Sequence, residues 1–112
     1  MATANELYAE AEQLKEEGKL EDCVAKLTEV LEADESHVLS HLTLAVVYGR
    51  MNRHEEAVKH GQRACELDGT DPFNFTAMSV TFQRAFQGTQ NSQFIQMAED
   101  AMARAQMLQA QR

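Results

Sequence analysis

The sequence predicts an all-α chain of six helices, folded as a solenoid of about three antiparallel helix-turn-helix units. Three observations predict it. Ala, Glu, Gln, Leu and Met, all strong helix formers, are abundant, while one Pro and five Gly are too few for a chain of many tight β-turns. Cap signals divide the chain into six segments of helical length. The chain also matches itself when shifted by 34 residues, a period at which a helical hairpin repeats.

The elements follow in order. Thr3 and Glu6 have capping-box spacing, and Leu7, Ala11 and Leu14 then recur on one helical face until Gly18. A second helix runs from about Leu20 to Ala33, with Cys23, Val24, Leu27, Val30 and Leu31 on its apolar face. Ser36 is the expected N-cap of a third helix carrying Leu39, Leu42, Leu44, Ala45, Val47, Tyr48 and Met51. Asn52 to Glu55 has capping-box spacing again and is expected to open a fourth helix through Ala57, Val58, Ala64, Cys65 and Leu67, with Gly69 past its end. Asp71 followed by Pro72 is a start signal, because Asp caps and Pro suits the first helical position. That fifth helix is expected to stop near Gly88. The sixth, from about Gln93 to Gln109, turns Phe94, Met97, Ala98, Ala101, Met102, Ala105 and Leu108 inward. Linkers this short make sequential helices pack antiparallel.

The length, 112 residues, suits one domain, with repeats at about 4–36, 37–70 and 71–110. The formal net charge is -8, and all of it falls in residues 1–36, which hold eleven acids against three bases. Such a surface repels nucleic acid and anionic membranes and favours a partner with a basic patch. The two cysteines, Cys23 and Cys65, have neither disulfide-framework nor zinc spacing, and fit free thiols in a reducing cytoplasm. The first residues have no basic region followed by an apolar one, and no run is long enough to span a membrane. A cytoplasmic protein is expected.

The internal match is specific. Residues 15–34 fall on residues 49–68, with Glu21 on Glu55, Val24 on Val58, Glu32 on Glu66 and Asp34 on Asp68. Lys19 pairs with Arg53, Asp22 with Glu56 and Cys23 with Ala57. Small residues recur where two helices must cross closely: Ala11, Ala45 and Ser79, then Cys23, Ala57 and Ala98. On these positions the chain resembles the tetratricopeptide repeat family. It departs from that pattern in having no signature Trp, no closing Pro, Glu10 for a Leu, and Gly61 for a bulky core residue. The third repeat needs about seven extra residues near 87–92.

The resemblance implies a right-handed solenoid whose hollow side is lined by the first helix of each pair and holds protein ligands. By helical spacing the lining stripe comprises Asn5, Tyr8, Glu12 and Lys15, then Leu39, Leu42, Val46 and Gly49, then Phe73, Thr76, Val80 and Gln83. Its centre is apolar, which suits an amphipathic helix or extended peptide of a partner protein, with Tyr8, Leu42, Val46, Phe73 and Val80 as the expected contacts. The alternative to a ligand there is burial of the central helix by its neighbours. Many family members clamp the acidic tail of a heat-shock chaperone with Lys, Asn and Arg side chains. Tyr8, Glu12, Thr43, Phe73 and Ala77 stand at the corresponding places, so that function is not expected.

No chemistry is signalled beyond binding. His37 and His41 share a helical face without a third metal ligand, and His54 and His60 resemble surface residues. Glu12, Glu16 and Glu17 cluster on one exposed helix, and Met97, Met102 and Met107 resemble core filler. There is no phosphate loop and no nucleophile-base context. No catalytic, cofactor or metal site is expected, and the chain reads as an adaptor or scaffold rather than an enzyme. Two alternatives stand beside it. One is a homodimer formed through Met107 and Leu108 on the last helix. The other is a dedicated secretion or assembly chaperone, a role the resemblance also allows.

Overall fold

The computed structural model describes residues 2–111. Its six helices are α1 (Ala4–Glu16), α2 (Leu20–Ala33), α3 (Val38–Arg50), α4 (His54–Leu67), α5 (Pro72–Thr89) and α6 (Gln93–Ala110). Each pairs with the next as a hairpin. The hairpins α1–α2, α3–α4 and α5–α6 stack in order, α3 against α2 and α5 against both α3 and α4. No strand occurs among the described residues.

The caps carry the repeat into the backbone. The first helices of the three hairpins start at Thr3, His37 and Asp71, each of which accepts a backbone N–H with its side chain. Thr3 forms the full capping box with Glu6, and Asp71 bonds the Phe73 amide at 2.9 Å with Pro72 at the first helical position. The expected cap Ser36 is displaced by His37, whose Nδ1 accepts the Ser40 N–H. Ser36 instead donates to Asp34 through both its amide and its hydroxyl, and Thr70 does the same to Asp68 one repeat later. These Asx turns are the second repeated joint.

The third joint corrects the reading of Asn52. It opens no capping box; it closes α3. Asn52 lies in the left-handed region (φ 61°), as Gly18 does after α1 (φ 77°). At both ends the chain makes the same paired bonds: Gly18 to Lys15 and Lys19 to Leu14, then Asn52 to Gly49 and Arg53 to Tyr48, all between 2.8 and 3.1 Å. This is the Schellman closure, which satisfies carbonyls that a helix end leaves over. Asn tolerates that backbone better than most residues with a Cβ. The Arg53 guanidinium also lies 4.9 Å over the Tyr48 ring, covering the turn.

The third hairpin departs where the extra residues fall. They form no loop. α5 continues through Gly88 to Thr89, five residues longer than α3 (18 against 13), and Gln90 takes the left-handed cap (φ 61°). Gly88 is inside the helix because the His54 ring packs onto it, and a Cβ there would overlap the imidazole.

Two apolar clusters hold the stack. Ala11, Cys23, Leu27, Leu44 and Val47 join α1, α2 and α3; Val58, Phe82, Ala85, Ala98 and Ala101 join α4, α5 and α6. The small positions are closed as expected, Ala11, Ala45 and Ser79 being at most 4% exposed. Ser79 serves where Ala would because its hydroxyl donates to the Ala98 carbonyl at 3.0 Å. Gly61 is explained too: Met78 and Thr81 of α5 pack over it, leaving little room for the bulky residue expected there. Both thiols are buried and unpaired, and burial pushes Cys65 up to about 11, so it stays a thiol.

A polar layer lies between the clusters. His41 is buried, its Nδ1 2.9 Å from Nδ1 of His60 and its Nε2 2.9 Å from the Glu35 carbonyl. His60 stacks between His41 and Tyr48. Burial, with His41 and Lys59 adding to it, holds His60 down to about 4. Arg63 of α4 grips Glu35 with two 2.8 Å bonds and draws that carboxyl down to about 2. His60 is therefore half-buried, not a surface residue. His37 and His41 share no ligand direction, since one caps α3 and the other is bonded to His60 and Glu35.

Candidate functional site: the face of α1, α3 and α5

The three first helices present one stripe each, and the structure treats the three stripes differently. On α1, Asn5 is exposed, but Tyr8 is half-buried and tied down. Its hydroxyl is 2.9 Å from Thr43 Oγ1 and its ring is 5.2 Å from that of His37. Burial is the main reason its phenol is harder to ionise than usual, with the Thr43 bond opposing. Glu12 pairs with Lys15 at 3.5 Å. The α1 end is thus largely satisfied by its own contacts.

On α3 the stripe divides. Leu39 is 53% exposed and Val46 is half-exposed, but Leu42 is only 9% exposed. Leu42 is corrected from a groove contact to a core residue. The reason is the central place of α3, with hairpin neighbours on both sides closing over most of its surface from Ser40 to Ala45.

On α5 the stripe is open. Phe73 is 63% exposed and Val80 41%, which is unusual for large apolar side chains a few residues apart on one face. Thr76 between them is half-exposed and donates to the Pro72 carbonyl. Gln83 turns aside. It donates to Ser79 at 3.3 Å and lines a cleft between α5 and α6 with Phe86, Ile95 and Met102.

By register Leu39 corresponds to Phe73 and Val46 to Val80, one repeat apart. The exposed apolar surface is therefore a two-helix band on α3 and α5. Arg50 and Arg84 extend the same band by one turn, and sequence reasoning missed them. Their signal was present: each lies four residues beyond a stripe position, and they are themselves one repeat apart. The Arg84 stem runs beside Gly49, where a Cβ would sit in ordinary contact at 3.9 Å from Arg84 Cδ.

The last helix is also corrected. Met107 is 49% exposed, but Leu108 is 8% exposed and belongs to the interior with Ala98, Ala101 and Ala105. Of the two residues expected to meet a second copy, only Met107 is on the surface. Among the described residues no group of three His, Cys, Asp or Glu is placed to hold a metal ion, and no helix is long and apolar enough to cross a membrane.

No protein-family model and no curated protein matches this sequence. Solved structures do. The crystal structure of MamA aligns over 97% of this chain with a TM-score of 0.82 at 12% identity, and the chain spans 60% of that protein's length. The second TPR of Spaghetti (RPAP3), bound to HSP90 peptide SRMEEVD, aligns over 95% of this chain and 92% of its own, with a TM-score of 0.78 at 24% identity. At these identities the likeness is one of fold.

Proposed function

We propose that this chain, which has the tetratricopeptide-repeat fold, is a protein-interaction module that holds a segment of a partner protein on the hollow side of the stack. One observation carries the reading: the aligned exposure of Leu39, Phe73 and Val80, with Val46 half-exposed between them, on the two first helices whose backbones are fixed by the stack. Rigid helices carrying apolar side chains in water gain free energy when another apolar surface covers them, at about 25 cal/mol per Å². That the RPAP3 repeat holds a peptide supports the reading by analogy of fold.

The mode of holding differs from a two-carboxylate clamp. Tyr8 and Thr43 bond each other, Glu12 is acidic, and Phe73 and Ala77 carry no charge. The apolar band supplies affinity, and basic side chains flanking the bound segment would meet the acidic surface of α1 and α2. The role is that of an adaptor or scaffold in the cytoplasm, without catalysis.

Capture from native cytosol tests it, with the normal protein beside a Val46→Glu, Phe73→Glu double variant of unchanged helicity. A partner retained by the normal protein and lost from the variant is the expected result. Equal capture by both moves the site to the outer face or to α6.

A further inference from the structure

The seat that α5 takes on the second hairpin recurs, open, on the third. Met78 and Thr81 of α5 pack over Gly61, beside Ala45. By the repeat, Ser79 is the counterpart of Ala45 and Ala98 that of Ala57. Met102, four residues past Ala98, is therefore the counterpart of Gly61, four past Ala57. Ser79 and Met102 lie together in the cleft of about 440 Å³ between α5 and α6 that Gln83 lines with Phe86 and Ile95. Its apolar wall faces water: Ile95 is 41% exposed, and Phe86 and Met102 are half-buried. No helix among the described residues packs across it. Glu99 also lines the cleft, exposed, and among the described residues it has neither a hydrogen bond nor an ion pair.

We propose that this cleft seats one amphipathic helix of a partner protein, which lays two apolar side chains three or four residues apart against Ile95 and Met102 and brings a Lys or Arg to Glu99. None of Leu39, Val46, Phe73 and Val80 lines the cleft, so this surface stands apart from the groove reading. The chain's own packing selects a helix. The equivalent seat on α3 and α4 holds one, α5, and is met by side chains three residues apart, Met78 and Thr81. Charge selects the basic residue, since a free carboxylate at the rim of an apolar cleft attracts a cation and repels an acidic helix. A second copy does not supply the occupant. Its helix with an open packing face is α1, where the counterparts of Met78 and Thr81 are Glu10 and Gln13. Glu10 is paired with Lys26 at 3.2 Å, and laying it on Ile95 and Met102 would bury a carboxylate against apolar side chains.

The probes are fluorescent Ala-rich helical peptides of about 16 residues, long enough to hold a helix in water, acetylated and amidated at the ends. One carries two Leu four residues apart with Lys beside the pair. A second has Glu for that Lys, and a third has Gln for both Leu. Fluorescence anisotropy is read on the normal protein and on Ile95→Gln, Glu99→Lys and Phe73→Glu. Ile95 and Glu99 are exposed, so unchanged melting is expected of their variants. The expected result is binding of the Lys peptide at least about fivefold tighter than either control, lost in Ile95→Gln and kept in Phe73→Glu. Glu99→Lys should turn the preference over to the Glu peptide. A preference for Lys that survives Glu99→Lys overturns the proposal, because the attraction then belongs to the acidic surface of α1 and α2. Binding lost in Phe73→Glu but kept in Ile95→Gln overturns it in favour of the groove. Binding of no peptide at millimolar concentration overturns it outright. Sedimentation velocity closes the remaining route: a dimer of the normal protein that Ile95→Gln dissolves would give the cleft to a second copy and overturn the partner helix.

Discussion

At the residue scale, two glycines in helices make opposite predictions. Gly61 has Met78, Thr81 and Ala45 no nearer than 3.7 Å to where a Cβ would stand, which is ordinary contact. Gly61→Ala should therefore gain most of the helical preference for Ala, about 1 kcal/mol, and shift the urea midpoint upward. Gly88→Ala should lose stability despite the same preference, since the new Cβ overlaps the His54 ring. A double-mutant cycle with His54→Ala checks the cause: the loss at Gly88 should largely disappear when the ring is absent. The His41–His60 contact sets a third expectation. His60 falls from 6.5 to about 4 on folding. Above pH 6.5 it is neutral in both states and contributes no pH dependence. Between 6.5 and about 4 the unfolded chain binds the proton and the folded one does not, so stability falls as pH drops through that window. Melting temperatures at pH 7.5 and 4.5 should show the fall, and His60→Asn, which cannot titrate, should flatten it. The His41–His60 pair was illegible in the sequence because the partners are 19 residues apart on different helices, and helical periodicity relates only residues of one helix.

At the scale of elements, the same backbone closure follows α1 and α3, with Gly in one copy and Asn in the other. Asn52→Gly should be neutral or slightly stabilising, while Asn52→Ala should cost on the order of 1 kcal/mol, both measured by chemical denaturation. Most of this scale was legible in the sequence. Six helices and the Thr3 and Asp71 caps follow from local pattern, and the small crossing residues from the repeat and the resemblance it carries. What failed did so for local reasons as well. Asn52 is equally suited to start a helix or to end one, and the choice fell to the Schellman bonds of its neighbours. His37 outcompeted Ser36 because Ser36 was drawn to Asp34. Gly88 looked like a stop, but its lack of a side chain serves the approach of His54, and α5 runs on to Thr89.

For the molecule as a whole, the repeat decides what lies outward. Leu39 and Phe73, Val46 and Val80, and Arg50 and Arg84 are successive one-repeat pairs down a face that grades from apolar to cationic. The band on α5 was legible because period and exposure agree there. Leu42 was misplaced because burial of a central helix depends on both of its neighbours, which periodicity within one helix does not contain. The cationic end was missed because a charge run off the edge of an apolar stripe resembles ordinary solvated surface until its unpaired state is seen in three dimensions. Leu108 shows the converse, a terminal side chain that the α6 packing takes inside.

Site-specific photo-crosslinking to the partner captured from cytosol tests the central claim most directly. The photoreactive residue is placed in turn at Phe73, Val80, Glu29 and Gln62, all of which are exposed. Crosslinks from Phe73 and Val80, with none from Glu29 on α2 or Gln62 on α4, are the predicted result. Crosslinks from Glu29 or Gln62 while Phe73 and Val80 stay silent would contradict it.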